Sequence, residues 1–297
     1  MASINQWIEG ARPRTLPAAV APVLIGSAVA YVELADRISW PSFFARALLA
    51  LVVALALQIG VNYANDYSDG IRGTDEVRVG PVRLVGQRLA TPTSVKVAAF
   101  TCFGVAALCG LVLVLVTQQW WLIAVGVSAI IAAWFYTGGK HPYGYAGLGE
   151  LFVFIFFGLV AVMGTTYVQT LTLPLLALLG GVASGLLSVA ILVVNNLRDI
   201  PTDRLSGKRT LAVRLGDPAT RRLYIACVLM PFACALVTSV SHHGALMALV
   251  ALVGAVAPIR IVSSGSEGRA LIPALVGTGK LLLLYAVLLS AGLVIFG

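Results

Sequence analysis

Asn65, Asp66 and Asp69 in "VNYANDYSDG" (61–70), and Asp199 and Asp203 in "VVNNLRDIPTD" (193–203), set oxygen ligands at the ends of two apolar runs. The i,i+3 and i,i+4 spacings bring each acidic pair onto one helical face. Asn62 and Asn65 share the first face, with Gln58 one turn deeper, and Asn195 and Asn196 share the second. An unpaired carboxylate at mid-membrane costs roughly 2.5–3.5 kcal/mol on insertion scales. Four converging carboxylates also repel and raise one another's pKa. Divalent cations answer both problems, and Mg²⁺ takes few protein carboxylates and fills its shell with waters and substrate phosphates.

Aligned on their valines, Val61-Asn62 leads to Asp66 as Val194-Asn195 leads to Asp199. That pattern reads as a distant duplication of a four-helix unit, which brings the motifs face to face across one cavity. Cations complete the other half of a diphosphate site. Arg72 follows the first cluster; Arg198, Arg204, Lys208 and Arg209 interleave with and follow the second; Lys140 stands in "YTGGKHPYGYAGLGE" (136–150). Singly, each is better read as a basic loop residue, and a single Asp as a solvated loop carboxylate paired with an arginine. As a set around two matched clusters, some of the cations are expected to grip phosphate oxygens, Arg72 and Lys140 first.

The elements that must carry these residues are membrane helices. The 297 residues are 59% hydrophobic and 11% charged, against about 25% charged in a soluble domain. Runs of about 20 apolar residues fall near 16–34, 42–63, 94–117, 119–137, 148–168, 172–194, 222–241, 244–262 and 271–296. Pro201 removes a backbone donor inside the second motif and predicts a kink or fray there. Of the 20 Lys and Arg, all but Arg37, Arg46 and Lys280 lie on the side of the N-terminus and the two long loops, 64–96 and 195–221. The basic-loop rule then places that side in the cytoplasm. The expected fold is therefore an all-α integral membrane protein of one multispan domain, 1–297. Nine transmembrane helices surround a central cavity open to the cytoplasm, with the N-terminus in and the C-terminus out. Arg12 and Arg14 before an apolar stretch imitate a leader, but cleavage after "SAVA" (27–30) would strand the basic loops, so the first helix is kept. Residues 3–11, with Trp7, suit a short interfacial segment.

The net charge of +8 is thus mainly a topology signal, and no nucleic-acid partner is needed to explain it. The four cysteines lie within apolar runs and the three histidines lack ligand partners, which argues against disulfides and zinc. Glycines in "GGVASG" (180–185) fit close helix packing. Lys280 reads as a snorkelling side chain. Glu150 is open to two readings, pairing with a cytoplasmic base or positioning substrate.

With "NDYSD" (65–69) and "DIPTD" (199–203) on such a chain, the sequence resembles the UbiA superfamily of intramembrane aromatic prenyltransferases. The stretches "RPRTLPAAVAPVLIGSA" (12–28), "NDYSDGIRGTD" (65–75), "GPVRLVGQ" (80–87) and "NNLRDIPTDRLSGKRTLAVRLG" (195–216) are similar to its branch acting on 1,4-dihydroxy-2-naphthoate. The general superfamily pattern, N-D-x-x-D-x-x-x-D, calls for an acid where this chain has Gly73, and the next acid is Asp75; the naphthoate branch resembles this spacing. The resemblance implies a polyprenyl diphosphate donor, its tail between lipid-facing helices. It implies two Mg²⁺ ions on Asn65, Asp66 and Asp69 from one side and Asp199 and Asp203 from the other. Lys140, Arg72, Arg14, Lys208 and Arg209 would share the diphosphate charge. Gln58, Asn62, Asn195 and Tyr136 would line the acceptor cavity. The implied reaction ionises the allylic C–O bond, and the ring attacks with loss of CO₂ to give demethylmenaquinol.

The alternatives are a superfamily member with another acceptor, such as 4-hydroxybenzoate or homogentisate, and a cation-coupled transporter. Transporters place their intramembrane carboxylates near the midplane on broken helices, whereas these motifs end their spans beside basic residues.

Overall fold

The computed structural model describes residues 2–73 and 82–296, and among them every regular element is helical. Asp75 and the first two residues of "GPVRLVGQ" lie outside the described residues. A short helix α1 (Ile4–Gly10) opens the chain, held by a reciprocal cap between Ser3 and Gln6. Then follow α2 (Pro17–Leu34), α3 (Trp40–Ile71), α4 (Pro92–Thr117) and α5 (Leu122–Phe135). Next, α6 (Gly149–Val153) passes through a π-helical stretch, Phe154–Val160, into α7 (Ala161–Thr170). The second half comprises α8 (Leu175–Leu205), the short α9 (Leu211–Leu215) and α10 (Asp217–Ser239). It closes with α11 (Leu252–Ser263), preceded by the 3₁₀ segment His243–Ala251, and α12 (Ile272–Phe296).

Among the described residues, eight helical segments are long and apolar enough to cross a membrane. The predicted span 119–137 differs. Its helix, α5, has 14 residues and rises about 21 Å, short of the roughly 30 Å hydrocarbon core. The polar pair Gln118–Gln119 and the turn through Trp120 and Trp121 use up the residues that would have extended it.

The two motif helices differ in the opposite direction. Helix α3 has 32 residues and α8 has 31, about 46–48 Å each. Both are longer than the hydrocarbon core is thick. Pro201 does not fray α8, which continues to Leu205. Local bonds support that end: Thr202 Oγ1 donates to the Asp199 carbonyl at 3.0 Å and Ser206 Oγ to the Thr202 carbonyl at 3.0 Å.

The core forms where α2, α8, α10 and α12 meet, with Ile25, Leu187, Tyr224 and Leu282 fully enclosed. Helix α8 packs on the π-helical stretch through glycines. A Cβ on Gly158 would come 2.5 Å from Gly185 Cα and 2.6 Å from the Gly181 carbonyl oxygen. At the opposite end of α3, Arg46 Nη1 donates to the Val168 carbonyl at 2.9 Å, capping α7.

Gly158→Ala is therefore expected to destabilise the detergent-solubilised protein by about 1–3 kcal/mol, read as a lower thermal midpoint. Gly104→Ala, on an exposed helix face with nothing within 4 Å, should be neutral or slightly stabilising.

Candidate functional site

A cavity of about 620 Å³ runs between the two motif helices. Its wall is apolar for most of its length, with Val53, Gly110, Ile130 and Val160 among the lining residues, and polar groups gather at the motif end. Asn65, Asp69, Asn195, Asn196, Asp203 and Lys208 line that end. The two motifs thus share one cavity, and Lys208, just past the second, reaches Asp69 of the first, 139 residues away in the chain: Nζ to Oδ1 is 3.3 Å, both side chains buried.

The loop between α5 and α6 closes the mouth. Thr137 Oγ1 donates to Asn65 Oδ1 at 2.8 Å. Tyr145, in the 3₁₀ turn Tyr143–Ala146, donates its hydroxyl to Asp69 Oδ1. The backbone N–H of Arg209 donates to the Tyr145 carbonyl at 2.9 Å, and that of Lys208 to the Asp203 carbonyl at 2.8 Å. Burial pushes the Tyr143 phenol above its ordinary range, so it remains a donor, here to the Ala132 carbonyl at 2.8 Å.

The remaining two motif carboxylates are buried and turned toward the protein. Asp66 accepts from the Leu84 N–H at 2.7 Å and the Val85 N–H at 3.2 Å. Asp199 takes a two-pronged bond from Arg198, Nε at 2.7 Å and Nη2 at 2.8 Å, and Nη2 also reaches Asn195 Oδ1 at 2.9 Å. Neither Asp66 nor Asp199 lines the cavity.

The proposed cations divide in the same way. Lys208 is buried at the mouth, while Arg72 is exposed and donates to the carbonyls of Thr137 and Gly139. Lys140, Arg14 and Arg209 are exposed and stand off the cavity wall. Lys140 follows Gly139, whose φ of 74° turns the chain. Two arginines not assigned to the site from the sequence, Arg12 and Arg83, do line the cavity.

Gln58 and Asn62 also line the cavity, and they anchor the N-terminal segment. Gln58 Nε2 donates to Thr15 Oγ1 at 2.7 Å; Asn62 Nδ2 donates to the Ala11 carbonyl at 2.9 Å and to Thr15 Oγ1 at 3.1 Å. Tyr136 is part of an aromatic wall with Tyr143, Phe152 and Phe156. Glu150, left open above, accepts from Asn196 Nδ2 at 3.0 Å and so supports a cavity residue from behind.

Among the described residues, no three His, Cys, Asp or Glu side chains converge into a closed metal cage. Two carboxylates and a carboxamide oxygen lining the cavity mouth (Asp69, Asp203 and Asn65) instead suit a hard cation that fills the rest of its shell with water and phosphate. Mg²⁺ fits this donor set, and Zn²⁺, which prefers nitrogen and sulfur in a tetrahedral shell, does not.

Comparison with known proteins agrees with this picture. The UbiA prenyltransferase family matches residues 19–268. A 1,4-dihydroxy-2-naphthoate octaprenyltransferase of Mycobacterium tuberculosis is 54% identical over 297 residues, covering 100% of this chain and 99% of that protein. In fold, the chain is similar to a UbiA homologue of Aeropyrum pernix K1, with TM-score 0.69 at 14% identity over 99% of each chain. It is also similar to a UbiA homologue of Archaeoglobus fulgidus bound to GPP and Mg²⁺, with TM-score 0.65 at 11% identity over 96% of this chain and 99% of that one.

Thr15→Val keeps the side-chain shape and removes the oxygen that Gln58 and Asn62 share. The expected cost is about 1–3 kcal/mol, the penalty of a buried donor left unmet, read as a lower thermal midpoint. Faster proteolysis of the N-terminal segment should accompany it.

Proposed function

The chain belongs to the UbiA prenyltransferase family, and on that premise we propose that it transfers a polyprenyl group from an allylic polyprenyl diphosphate to 1,4-dihydroxy-2-naphthoate. The reaction releases CO₂ and diphosphate and gives demethylmenaquinol, a step of menaquinone biosynthesis. The observation that carries this reading is the end-to-end similarity to the mycobacterial naphthoate octaprenyltransferase. The same reading makes the chain one multispan domain in the plasma membrane, with α5 and its flanks as the ninth span and the cavity mouth facing the cytoplasm.

The diphosphate lies at the polar mouth, near Lys208, Arg12 and Arg83, and the prenyl chain runs down the apolar wall. Asn65, Asp69 and Asp203 would hold two Mg²⁺ ions, and Asp66 and Asp199, fixed by the Leu84 and Val85 amides and by Arg198, would support that end of the cavity. Bound Mg²⁺ supplies positive charge to the leaving diphosphate. The aromatic wall of Tyr136, Tyr143, Phe152 and Phe156 flanks the reacting carbon, where ring faces attract positive charge. The apolar lining keeps water from the allylic cation. Asn195 and Asn196 offer hydrogen bonds to the acceptor.

The test incubates the purified chain with 1,4-dihydroxy-2-naphthoate, a polyprenyl diphosphate and Mg²⁺, with EDTA as control. Demethylmenaquinol and CO₂ are expected, EDTA abolishing both. Asp69→Ala and Asp203→Ala should lower kcat/KM by on the order of a hundredfold or more. Turnover only with 4-hydroxybenzoate or homogentisate would overturn the acceptor, and prenyl transfer undiminished in EDTA would overturn the metal.

A further inference from the structure

Tyr145 belongs to neither acidic motif, yet it touches the surroundings of both. Its hydroxyl donates to Asp69 Oδ1 in the first. The Lys208 ammonium, just past the second, sits 4.6 Å from its ring centroid, and the Arg72 guanidinium carbon sits 5.4 Å from it. Its carbonyl accepts from the Arg209 N–H at 2.9 Å. The residue lines the cavity mouth.

Each of these contacts has a physical consequence. Two cations brought to one place repel, and a shared aromatic ring offsets that by offering negative π density. A carboxylate that ligates a metal is aimed by the hydrogen bonds on its remaining lone pairs. Packing alone would not require a side chain to meet an acid from α3, a cation after α3 and a cation after α8 together.

Resting on the reading that this mouth takes a prenyl diphosphate with Mg²⁺, we propose that Tyr145 is a positioning residue with two separable parts. Its hydroxyl aims Asp69 at the metal, and its ring holds Lys208 and Arg72 for the diphosphate. The residue acts through those three side chains.

Two substitutions separate the parts. Tyr145→Phe keeps the ring and loses the hydroxyl; Tyr145→Leu loses both. The measurement is calorimetric binding of inorganic pyrophosphate to the full-length protein in detergent, without Mg²⁺ and then across a Mg²⁺ titration. Tyr145→Phe should bind pyrophosphate alone as the native protein does and need about tenfold more Mg²⁺ for half-saturation. Tyr145→Leu should bind pyrophosphate alone about tenfold more weakly. The KM for the aromatic acceptor should not change in Tyr145→Phe, whereas a merely structural role would move every parameter together and lower the thermal midpoint.

The proposal is overturned if Tyr145→Phe has the native Mg²⁺ dependence, or if Tyr145→Leu binds pyrophosphate as tightly as the native protein. Native protein that binds no pyrophosphate, with or without Mg²⁺, overturns the diphosphate reading beneath it. That outcome is visible before any variant is made.

Discussion

Everything at the working end of this protein depends on how buried negative charge is balanced. Four motif carboxylates are buried in a largely apolar chain, and three of them are compensated by different devices. Backbone amides of Leu84 and Val85 serve Asp66, and the adjacent Arg198 serves Asp199. Asp69 instead draws on Lys208, from the far half of the chain. That last contact does more than neutralise charge. It ties the end of α3 to the segment after α8, and the loop carrying Thr137 and Tyr145 seals over the junction.

The carboxylates also differ in position. Asp66 and Asp199, held by backbone amides and by Arg198, do not line the cavity, while Asp69 and Asp203 do. A buried ion pair is weak evidence of net stabilisation, since desolvation offsets much of the attraction. An arrangement costly in its own right is more economically explained by what enters the cavity than by stability.

The helical class and the two motif ends were legible because apolar run length and acidic spacing are strong local signals. Asn65, Asp69 and Asp203 could be found from spacing because a helical face is a local property. Run length was a poorer guide at α5, where the helix takes up only 14 residues of an apolar run of membrane length, and at the ends of α3 and α8, where polar residues concealed that the helices continue. Choosing among the cations was harder, because Arg12 and Arg14, or Lys140 and Lys208, differ only in which way a turn faces. Tyr145 carried no distinguishing mark in a loop that also holds Tyr136, Tyr143 and five glycines. Its partners lie far off in the sequence, so only tertiary structure could bring them to it.

The π-helical stretch Phe154–Val160 bears on the rotational phase of its own helix. A wider turn holds more residues than an α turn, and in an α-helix each residue advances the azimuth by about 100°. Residues before the stretch therefore point elsewhere around the axis than an uninterrupted α-helix would send them. Glu150 and Phe152 lie before it, and Gly164 and Val168 lie after it. The stretch acts as a twist-setting joint, letting one helix present its upper side chains to Asn196 and Tyr143 and its lower ones to the apolar end of the cavity. The azimuth of the upper wall is thus set independently of how the lower helix packs.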